Sequence, residues 1–231
     1  MAPSLGRAGP PRPPPAGGGR LRRPGYGGRV PTAAQIASFP NDTPPPGASP
    51  WVAGGPSPMV AVVDADPAWP AWFARLESVV RGALGLRVLG LDHIGSTSVP
   101  DLPAKPVVDI DLVVADPDDE DGYVPALEAV GFVLWVREPW WDGHRLLRHA
   151  DPACNLHVFG PDSACPWRDR VFRDWLRTHD DDRDAYAAAK REASAAAVAA
   201  GEHAMQYNAR KQDVIREIHG RAFAAAGLPV R

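Results

Sequence analysis

Segment 93–114 combines a glycine and three hydroxyl side chains with two closely spaced carboxylates. Gly95 begins a turn that continues with Ser96, Thr97 and Ser98. A glycine lets the backbone approach a ligand closely, and the amides and hydroxyls that follow it can donate hydrogen bonds to phosphate oxygens. Two aspartates alternate along the apolar stretch downstream, Asp109 and Asp111. This order predicts a phosphate-binding turn upstream of a metal site.

The residues around the two aspartates predict a β-strand. Most residues of 107–114 are β-branched and fit a pleated, half-buried surface. Side chains alternate across a strand, so Asp109 and Asp111 share one face, while the other carries Val108, Ile110, Leu112 and Val114. Two unpaired carboxylates on so apolar a strand are costly to desolvate, and a divalent cation or a basic partner offsets that cost. Their hard oxygen ligands suit Mg²⁺ or Mn²⁺.

Each half of this pattern also has a structural interpretation. A Gly-Ser-Thr-Ser sequence is common in plain turns and helix caps, and an Asp-x-Asp pair can serve a structural ion pair. The order of the two halves along the chain favours the functional interpretation.

Two further regions supply basic side chains for a triphosphate. Lys105 lies between the turn and the strand, where it either reaches the same pocket or is an exposed loop residue. Tyr186 and Lys190 are spaced i, i+4, as are Tyr207 and Lys211, so each pair lies on one helix face. Either each tyrosine stacks on a base beside a phosphate-binding lysine, or these side chains cover the edge of a sheet.

The segment HIGSTSVPDLPAKPVVDIDLVV resembles the GrpB family of uncharacterised proteins (UPF0157), whose signature is close to HIGSTSVPGLxAKPxxDI. The resemblance begins at residues 61–70 and continues through 155–158 to the two Tyr-Lys pairs. It implies membership of the nucleotidyltransferase-like superfamily, in which a Gly-Ser motif holds the triphosphate and an Asp-x-Asp pair holds the metal. Arg145 and Arg148 lie on opposite faces of a predicted strand. Arg145 resembles the arginine of the family and is expected to point to the cleft.

Two residues depart from the family pattern. Asp101 stands where the family usually has glycine, which adds a negative charge beside the predicted phosphate turn. The third metal carboxylate of the superfamily normally lies on a later strand, where this sequence offers His157 as the third catalytic residue. A neutral imidazole is a poorer ligand for Mg²⁺ than a carboxylate, so the sequence does not support the usual two-metal arrangement.

The 231-residue chain holds 27 prolines and 22 glycines, most of their excess in residues 1–58. This Pro/Gly/Arg-rich segment has little apolar periodicity and cannot offset its ordering entropy, so it is predicted to be disordered. Alternatively, translation begins at Met59, or the basic residues around Arg22 touch nucleic acid or anionic surfaces. Residues 59–231 form the predicted GrpB-like domain, which is expected to be as stable without the segment before it.

Charge and hydropathy exclude several classes of protein. The formal net charge of −3 does not indicate a nucleic-acid-binding protein. Residues 1–58 lack the apolar run of a signal peptide, and no segment is long and apolar enough to span a membrane. We therefore expect a cytoplasmic protein with no membrane partner, and the sequence does not predict its oligomeric state.

Hydrophobic periodicity predicts mixed strands and helices followed by a helical end. Strands are expected at 87–94, 107–114, 132–137, 144–149 and 155–159, and helices at 67–84, 116–130, 166–176, 184–200 and 202–225. Trp140 and Trp141 are expected to plug the end of the sheet, with stacking on a base as the alternative. The predicted fold class is α+β: a nucleotidyltransferase-like twisted mixed β-sheet packed with helices, followed by C-terminal helices.

Three functions are compatible with these features. The leading hypothesis is a nucleotidyltransferase, in which Mg²⁺ on Asp109 and Asp111 binds a nucleoside triphosphate whose nucleoside monophosphate moves to an unknown small-molecule acceptor. The alternative is a non-catalytic nucleotide- or CoA-binding module, favoured by the missing third carboxylate and by the occurrence of the family beside dephospho-CoA kinase in some actinobacteria. A structural protein with a relict site is the third. A further acid near the Asp-x-Asp pair would favour the enzyme.

Overall fold

A five-stranded mixed sheet lies at the centre of the structure, a computed structural model that describes residues 30–39 and 43–229. Its strands are β1 (Gly90–Ile94), β2 (Val108–Val113), β3 (Phe132–Glu138), β4 (His144–Ala150) and β5 (Ala153–Phe159). The spatial order is β1-β2-β5-β4-β3, with β2 and β5 parallel and every other pair antiparallel. The α+β class and the mixed sheet are as predicted.

Helices cover both faces of the sheet. The described α-helices are α1 (Ala33–Ile36), α2 (Trp69–Leu84), α3 (Val124–Glu128), α4 (Cys165–Leu176), α5 (Asp180–Ala199), α6 (Ala204–Arg210) and α7 (Gln212–Ala225). The apolar stripe of α2 and the buried side of α3 pack on the face of β2 that carries Val108, Ile110 and Leu112. Helices α4, α5 and α6 contribute residues to the opposite face, which carries Asp109 and Asp111.

Two of the predicted helices differ from the structure. The acidic residues from Asp116 onward form a loop and a short 3-10 turn, and the helix begins only at Val124. The reason is that Asp118 and Glu120 turn back to Arg145, at 2.7 and 2.8 Å, instead of extending the helix. The predicted helix 202–225 is divided at Lys211 into α6 and α7.

The predicted disorder of residues 1–58 is wrong for the described residues of that segment, whereas residues 1–29 and 40–42 lie outside the described residues. Ile36 is only 2% exposed and packs against α4 and α7. The backbone of residues 50–53 hydrogen-bonds to the edge of β3, as in the bond from Arg137 N to Pro50 O at 2.8 Å. Composition does not reveal these contacts, because they depend on an open sheet edge and an apolar patch far along the chain.

Among the helices of residues 30–39 and 43–229, none is both long enough and apolar enough to cross a membrane.

An alanine substitution at Ile36 tests whether the N-terminal segment packs on the domain. Burying an isoleucine side chain contributes roughly 1.5–3 kcal/mol. Ile36→Ala should therefore lower the melting temperature by roughly 3–12 °C in thermal unfolding of the full chain. The control is Val52→Ala, because the Val52 side chain is already 46% exposed. A melting temperature that is the same for Ile36→Ala and the wild type would support the original expectation of a disordered segment.

Candidate functional site

A cleft of about 350 Å³ opens between the Asp-bearing face of the sheet and helices α4 to α6. Most of the residues predicted from the sequence meet there: Gly95, Ser96, Thr97, Lys105, Asp109, His157, Tyr186, Lys190, Tyr207 and Lys211. The cleft also contains Asp169 of α4, which the sequence analysis did not place in the site, and Trp141 of the β3–β4 loop, for which stacking on a base was the alternative to a hydrophobic plug.

The Gly-Ser turn lies directly against Asp109. Gly95 has φ 66°, and a Cβ atom at this position would lie 2.5 Å from Asp109 Oδ2, so only glycine fits. The turn then continues as one 3-10 turn, Ser96–Ser98. The Ser98 hydroxyl donates to the Gly95 carbonyl at 2.5 Å, and Thr97 Oγ1 pairs with His93 at 3.0 Å. Ser96 is therefore the hydroxyl of the turn best able to meet a ligand, and its oxygen accepts a hydrogen bond from Lys190 Nζ.

Asp109 and Asp111 lie on the same face of β2 but in different environments. Asp109 Oδ1 accepts a hydrogen bond from Asn155 at 2.8 Å. Burial opposes its ionisation, but His157 and Asn155 outweigh that effect and lower the pKa of Asp109 below its ordinary value. Asp111 is 1% exposed, and neither of its carboxylate oxygens has a hydrogen-bond partner in the described residues. Burial, then Asp169 and Asp92, raises the pKa of Asp111 well above its ordinary value.

Asp111 does not line the cleft, whereas Asp109 and a third acid, Asp169, do. Asp169 projects from α4 beside Asp111, and burial raises its own pKa as well. Sequence reasoning looked for a third carboxylate on β5, where His157 pairs with Asp111 across the strands. An aspartate between Arg168 and Arg170 in a helix is typical of a solvated face, so no local signal marked it.

The acids form an open group instead of a finished metal cage. Within residues 30–39 and 43–229, no three His, Cys, Asp or Glu side chains are already assembled around a common point. A cation held here would keep further ligand positions for water or for a bound molecule, as Mg²⁺ commonly does.

Three ammonium groups meet in the same cleft. Lys105, Lys190 and Lys211 are the only lysines among the 25 lysine and arginine residues of the chain. Lys190 is 3% exposed, and burial followed by the charge of Lys211 lowers its pKa well below the ordinary value. Burial also lowers the pKa of Lys105. Three neighbouring cations in a partly dry cleft repel each other, so an anionic ligand would stabilise them.

The two tyrosines hold the lysines in place. Tyr186 and Tyr207 line the cleft but are only 5% and 1% exposed. The Nζ atom of Lys190 lies 5.1 Å from the centre of the Tyr186 ring, and those of Lys105 and Lys211 each lie 5.0 Å from that of Tyr207. These are cation–π distances. The structure shows the tyrosines packed against lysines, and their stacking on a base stays a prediction.

Arg145 does not point to the cleft, in contrast to the prediction. It pairs with Val158 on the core face of the sheet, where Asp118 and Glu120 neutralise its guanidinium. Arg148 is on the cleft side, but its guanidinium lies 4.3 Å above the Trp135 ring and donates to Ser57. Strand alternation correctly separated the two arginines, whereas the choice between them depended on a distant acidic loop.

Asp101 adds no charge to the cleft. It is exposed and does not line the cleft. Its φ of 62° lies in the left-handed region that glycine adopts without strain. The glycine of the family pattern at this position therefore has a conformational explanation.

A histidine pair closes one side of the cleft. His157 Nδ1 lies 3.0 Å from His144 Nε2, and His144 Nδ1 lies 2.8 Å from Glu138 Oε2. Burial lowers the pKa of His144 to about 4, so this imidazole is neutral at physiological pH. His157 Nε2 faces Asp109 Oδ1 at 3.9 Å, which is too long for a hydrogen bond.

Comparison with known proteins identifies the family. The family model described as GrpB protein matches residues 59–221. A UPF0157 protein of Halalkalibacterium halodurans is 43% identical over 165 residues, which cover 71% of this chain and 83% of that protein. The crystal structure of conserved protein GrpB from Enterococcus faecalis has a TM-score of 0.61 and 26% identity, covering 71% of this chain and 97% of that one. The chain belongs to the GrpB family.

A weaker similarity involves an enzyme of known name. A dephospho-CoA kinase of Mycolicibacterium paratuberculosis is 29% identical over 167 residues. The match covers 58% of this chain and only 39% of the kinase.

Replacing Asp111 with asparagine should hold or raise the melting temperature of the metal-free protein at neutral pH. The folded-state pKa of Asp111 is raised above its unfolded value, so the folded protein loses stability as the pH rises through that pKa. The gain from Asp111→Asn should shrink toward acidic pH, where the carboxyl group is protonated. Thermal unfolding with a chelator at several pH values measures both effects.

Asp109→Asn is the matched control. The pKa of Asp109 is lowered in the folded protein, so removal of its charge should lower the melting temperature at neutral pH. An Asp111→Asn variant that is also clearly less stable than the wild type would assign Asp111 to a structural ion pair.

Proposed function

We propose that this protein is a metal-dependent nucleotidyltransferase that transfers a nucleoside monophosphate from a nucleoside triphosphate to a small-molecule acceptor. One observation carries the proposal: the three lysines of the chain meet two carboxyl groups, those of Asp109 and Asp169, in one cleft beside the Gly-Ser turn, and Asp111 is buried next to them. A triphosphate carries several negative charges, which the lysines can neutralise. The acids can bind the divalent cation that accompanies such a ligand. We place the protein in the cytoplasm, where nucleoside triphosphates are available.

Mg²⁺ or Mn²⁺ fits the residues that are present. Asp109, Asp111 and Asp169 offer the oxygen ligands that these ions prefer, and the two oxygens of Asp111 lack any other partner in the described residues. A bound cation would polarise phosphate oxygens and neutralise charge that develops on them. Asp169 supplies a further carboxylate beside Asp111, which the sequence analysis did not find and which supports the proposal.

The remaining residues bind and orient the nucleotide. Lys105, Lys190 and Lys211 hold the phosphate oxygens, and Ser96 positions Lys190 through its hydrogen bond. Gly95 keeps the turn close to Asp109, so the phosphate-binding groups and the acids act on the same part of the ligand. Positioning and charge neutralisation can supply most of the catalysis, and no nucleophilic side chain is required.

Trp141 is the aromatic residue best placed to meet the base. It is half-buried in the wall of the cleft and packs edge-on against His144 and Phe159, with ring centres 4.8 and 6.2 Å away. The sequence favoured a hydrophobic plug at this position. The burial of both tyrosines transfers the stacking role to this side chain.

A CoA- or nucleotide-binding module without catalysis is the second candidate. It is favoured by the similarity of part of the chain to a dephospho-CoA kinase. The two candidates differ in one outcome, because only the enzyme releases pyrophosphate from a bound triphosphate in the presence of its acceptor.

Removing single lysines should weaken triphosphate binding selectively. Lys105→Met and Lys211→Met should each weaken it by roughly 1.5–3 kcal/mol, the contribution of a hydrogen bond between charged groups. The affinity for nucleosides should change little, and removal of Mg²⁺ should weaken triphosphate binding in the wild type. Calorimetric titration with ATP, GTP, CTP, UTP and their nucleosides measures these effects.

The matched control is Arg210→Met, next to Lys211 in the sequence. The Arg210 guanidinium binds Glu202 at 2.5 Å, and Arg210 does not line the cleft. Its removal should leave triphosphate binding unchanged. If every triphosphate is indifferent both to the lysine substitutions and to Mg²⁺, the cleft is not a metal–nucleotide site.

Substitution of Trp141 should affect the base instead of the phosphates. Trp141→Leu should weaken binding of nucleosides and triphosphates alike by about 1 kcal/mol, a typical aromatic stacking contribution. Trp135→Leu is the control, because the Trp135 ring lies outside the cleft beneath Arg148. The same calorimetric series decides the matter: an unchanged affinity for every nucleoside and triphosphate would return Trp141 to the role of a hydrophobic plug.

A further inference from the structure

Side chains from three neighbouring strands form a hydrogen-bonded chain that ends in the cleft. Glu138 of β3 pairs with His144 Nδ1 at 2.8 Å, and His144 Nε2 of β4 pairs with His157 Nδ1 of β5 at 3.0 Å. His157 lines the cleft, whereas Glu138 and His144 do not. The His144 side chain is only 5% exposed, so water has little access to the middle of the chain.

The hydrogen bonds that link Glu138, His144 and His157 allow only one assignment of donors and acceptors. A carboxylate accepts and cannot donate, so the Glu138 carboxylate requires a hydrogen on His144 Nδ1. His144 is neutral and carries a single ring hydrogen, so its Nε2 atom is an acceptor. His157 Nδ1 must then donate, so in the form of His157 that carries a single ring hydrogen the lone pair lies on Nε2, the atom 3.9 Å from Asp109.

We propose that Glu138 and His144 position His157 so that its Nε2 lone pair accepts a hydrogen bond from the hydroxyl or amine that attacks the α-phosphorus. As the new bond to phosphorus forms, the bond from the α-phosphorus to the bridging oxygen of the leaving pyrophosphate breaks, and the proton of the attacking group passes to His157 Nε2. This inference rests on the proposed function and narrows its acceptor. The lysines of the cleft are donors only, and the carboxylates are the cation ligands. His157 therefore supplies an acceptor that can turn the lone pair of the attacking atom toward phosphorus. An acceptor that attacks through a fully ionised phosphate oxygen has no hydrogen to donate and is excluded.

The weak affinity of neutral imidazole for Mg²⁺ fits this role. Residue 157 faces the acids at the position where the sequence analysis expected a metal ligand. With Asp169 present as the third carboxylate, the cation does not need His157, and its Nε2 atom stays free for the acceptor.

The tautomers can be measured in the free, full-length protein. Long-range ¹H–¹⁵N correlation spectra of histidine-labelled protein, recorded at about pH 8, above the ordinary histidine pKa, show which ring nitrogen carries the hydrogen. We expect hydrogen on Nδ1 in both His144 and His157. His149 is an internal reference, because its Nδ1 atom donates to the Pro152 carbonyl at 3.1 Å. Hydrogen on Nε2 alone in His157 would overturn the proposal.

Substitution of Glu138 tests the donor and acceptor assignment of these hydrogen bonds. Glu138→Leu should abolish the single tautomer of His144 and His157 while leaving the signals of His149 unchanged, which also verifies that the sheet is folded. Glu138→Gln retains a carbonyl oxygen that can accept the same hydrogen bond and should preserve the wild-type tautomers. Spectra of His144 and His157 that do not respond to Glu138→Leu would show that Glu138 does not position them.

The role of His157 toward the attacking group is measured with ATP as nucleotide and water as acceptor. In single-turnover reactions, His157→Leu should slow pyrophosphate release by at least about tenfold without changing ATP affinity. His157→Gln keeps an acceptor oxygen and should be less impaired. Equal pyrophosphate release by the wild type and His157→Leu would overturn this role. Absence of ATP binding by the wild type would instead contradict the proposed function, and the tautomers of the free protein are decided independently of it.

Discussion

Asp111 carries a carboxyl group into a five-stranded sheet, where it is 1% exposed and neither oxygen accepts a hydrogen bond from an N–H group or a hydroxyl group of the described residues. A carboxyl group in such a place is stable only when it is protonated or bound to a cation. Helix α4 makes ionisation of Asp111 still less favourable, because it places Asp169 beside Asp111 and so raises the pKa of Asp111 further. The Gly-Ser turn, which touches Asp109, and the three lysines of the cleft lie around this buried carboxyl group.

The distribution of basic residues points to the same constraint. Arginine serves the exposed ion pairs of the described surface, such as those of Arg210 and Arg221 with carboxylates at 2.5 and 2.7 Å. Lysine occurs only in the cleft. An arginine stays charged under all ordinary conditions, whereas a buried lysine can lower its pKa when the neighbouring cations are not neutralised. Lys190 does so, and the cleft therefore tolerates three neighbouring amines, which a bound polyanion would return to the charged form.

Local patterns predicted the strands and the Asp-x-Asp face, because side-chain alternation and apolar periodicity are properties of short segments. They also predicted that Tyr186 and Lys190 share a helix face. They did not predict that lysines lie over the Tyr186 ring, because one of these contacts is made by Lys211, which is distant in sequence. Asp169 and the true position of Arg145 escaped prediction for the same reason. Each depends on a partner distant in sequence: Asp111 for the first, Asp118 and Glu120 for the second.

The most direct test of the account is a crystal structure of the protein with Mn²⁺ and a triphosphate analogue that cannot be cleaved between the α- and β-phosphates. Anomalous scattering locates the metal without reference to the protein coordinates. The account predicts one manganese peak among Asp109, Asp111 and Asp169, with the phosphates of the analogue against Lys105, Lys190 and Lys211. Manganese and phosphates bound elsewhere, with these six side chains unoccupied, would contradict it.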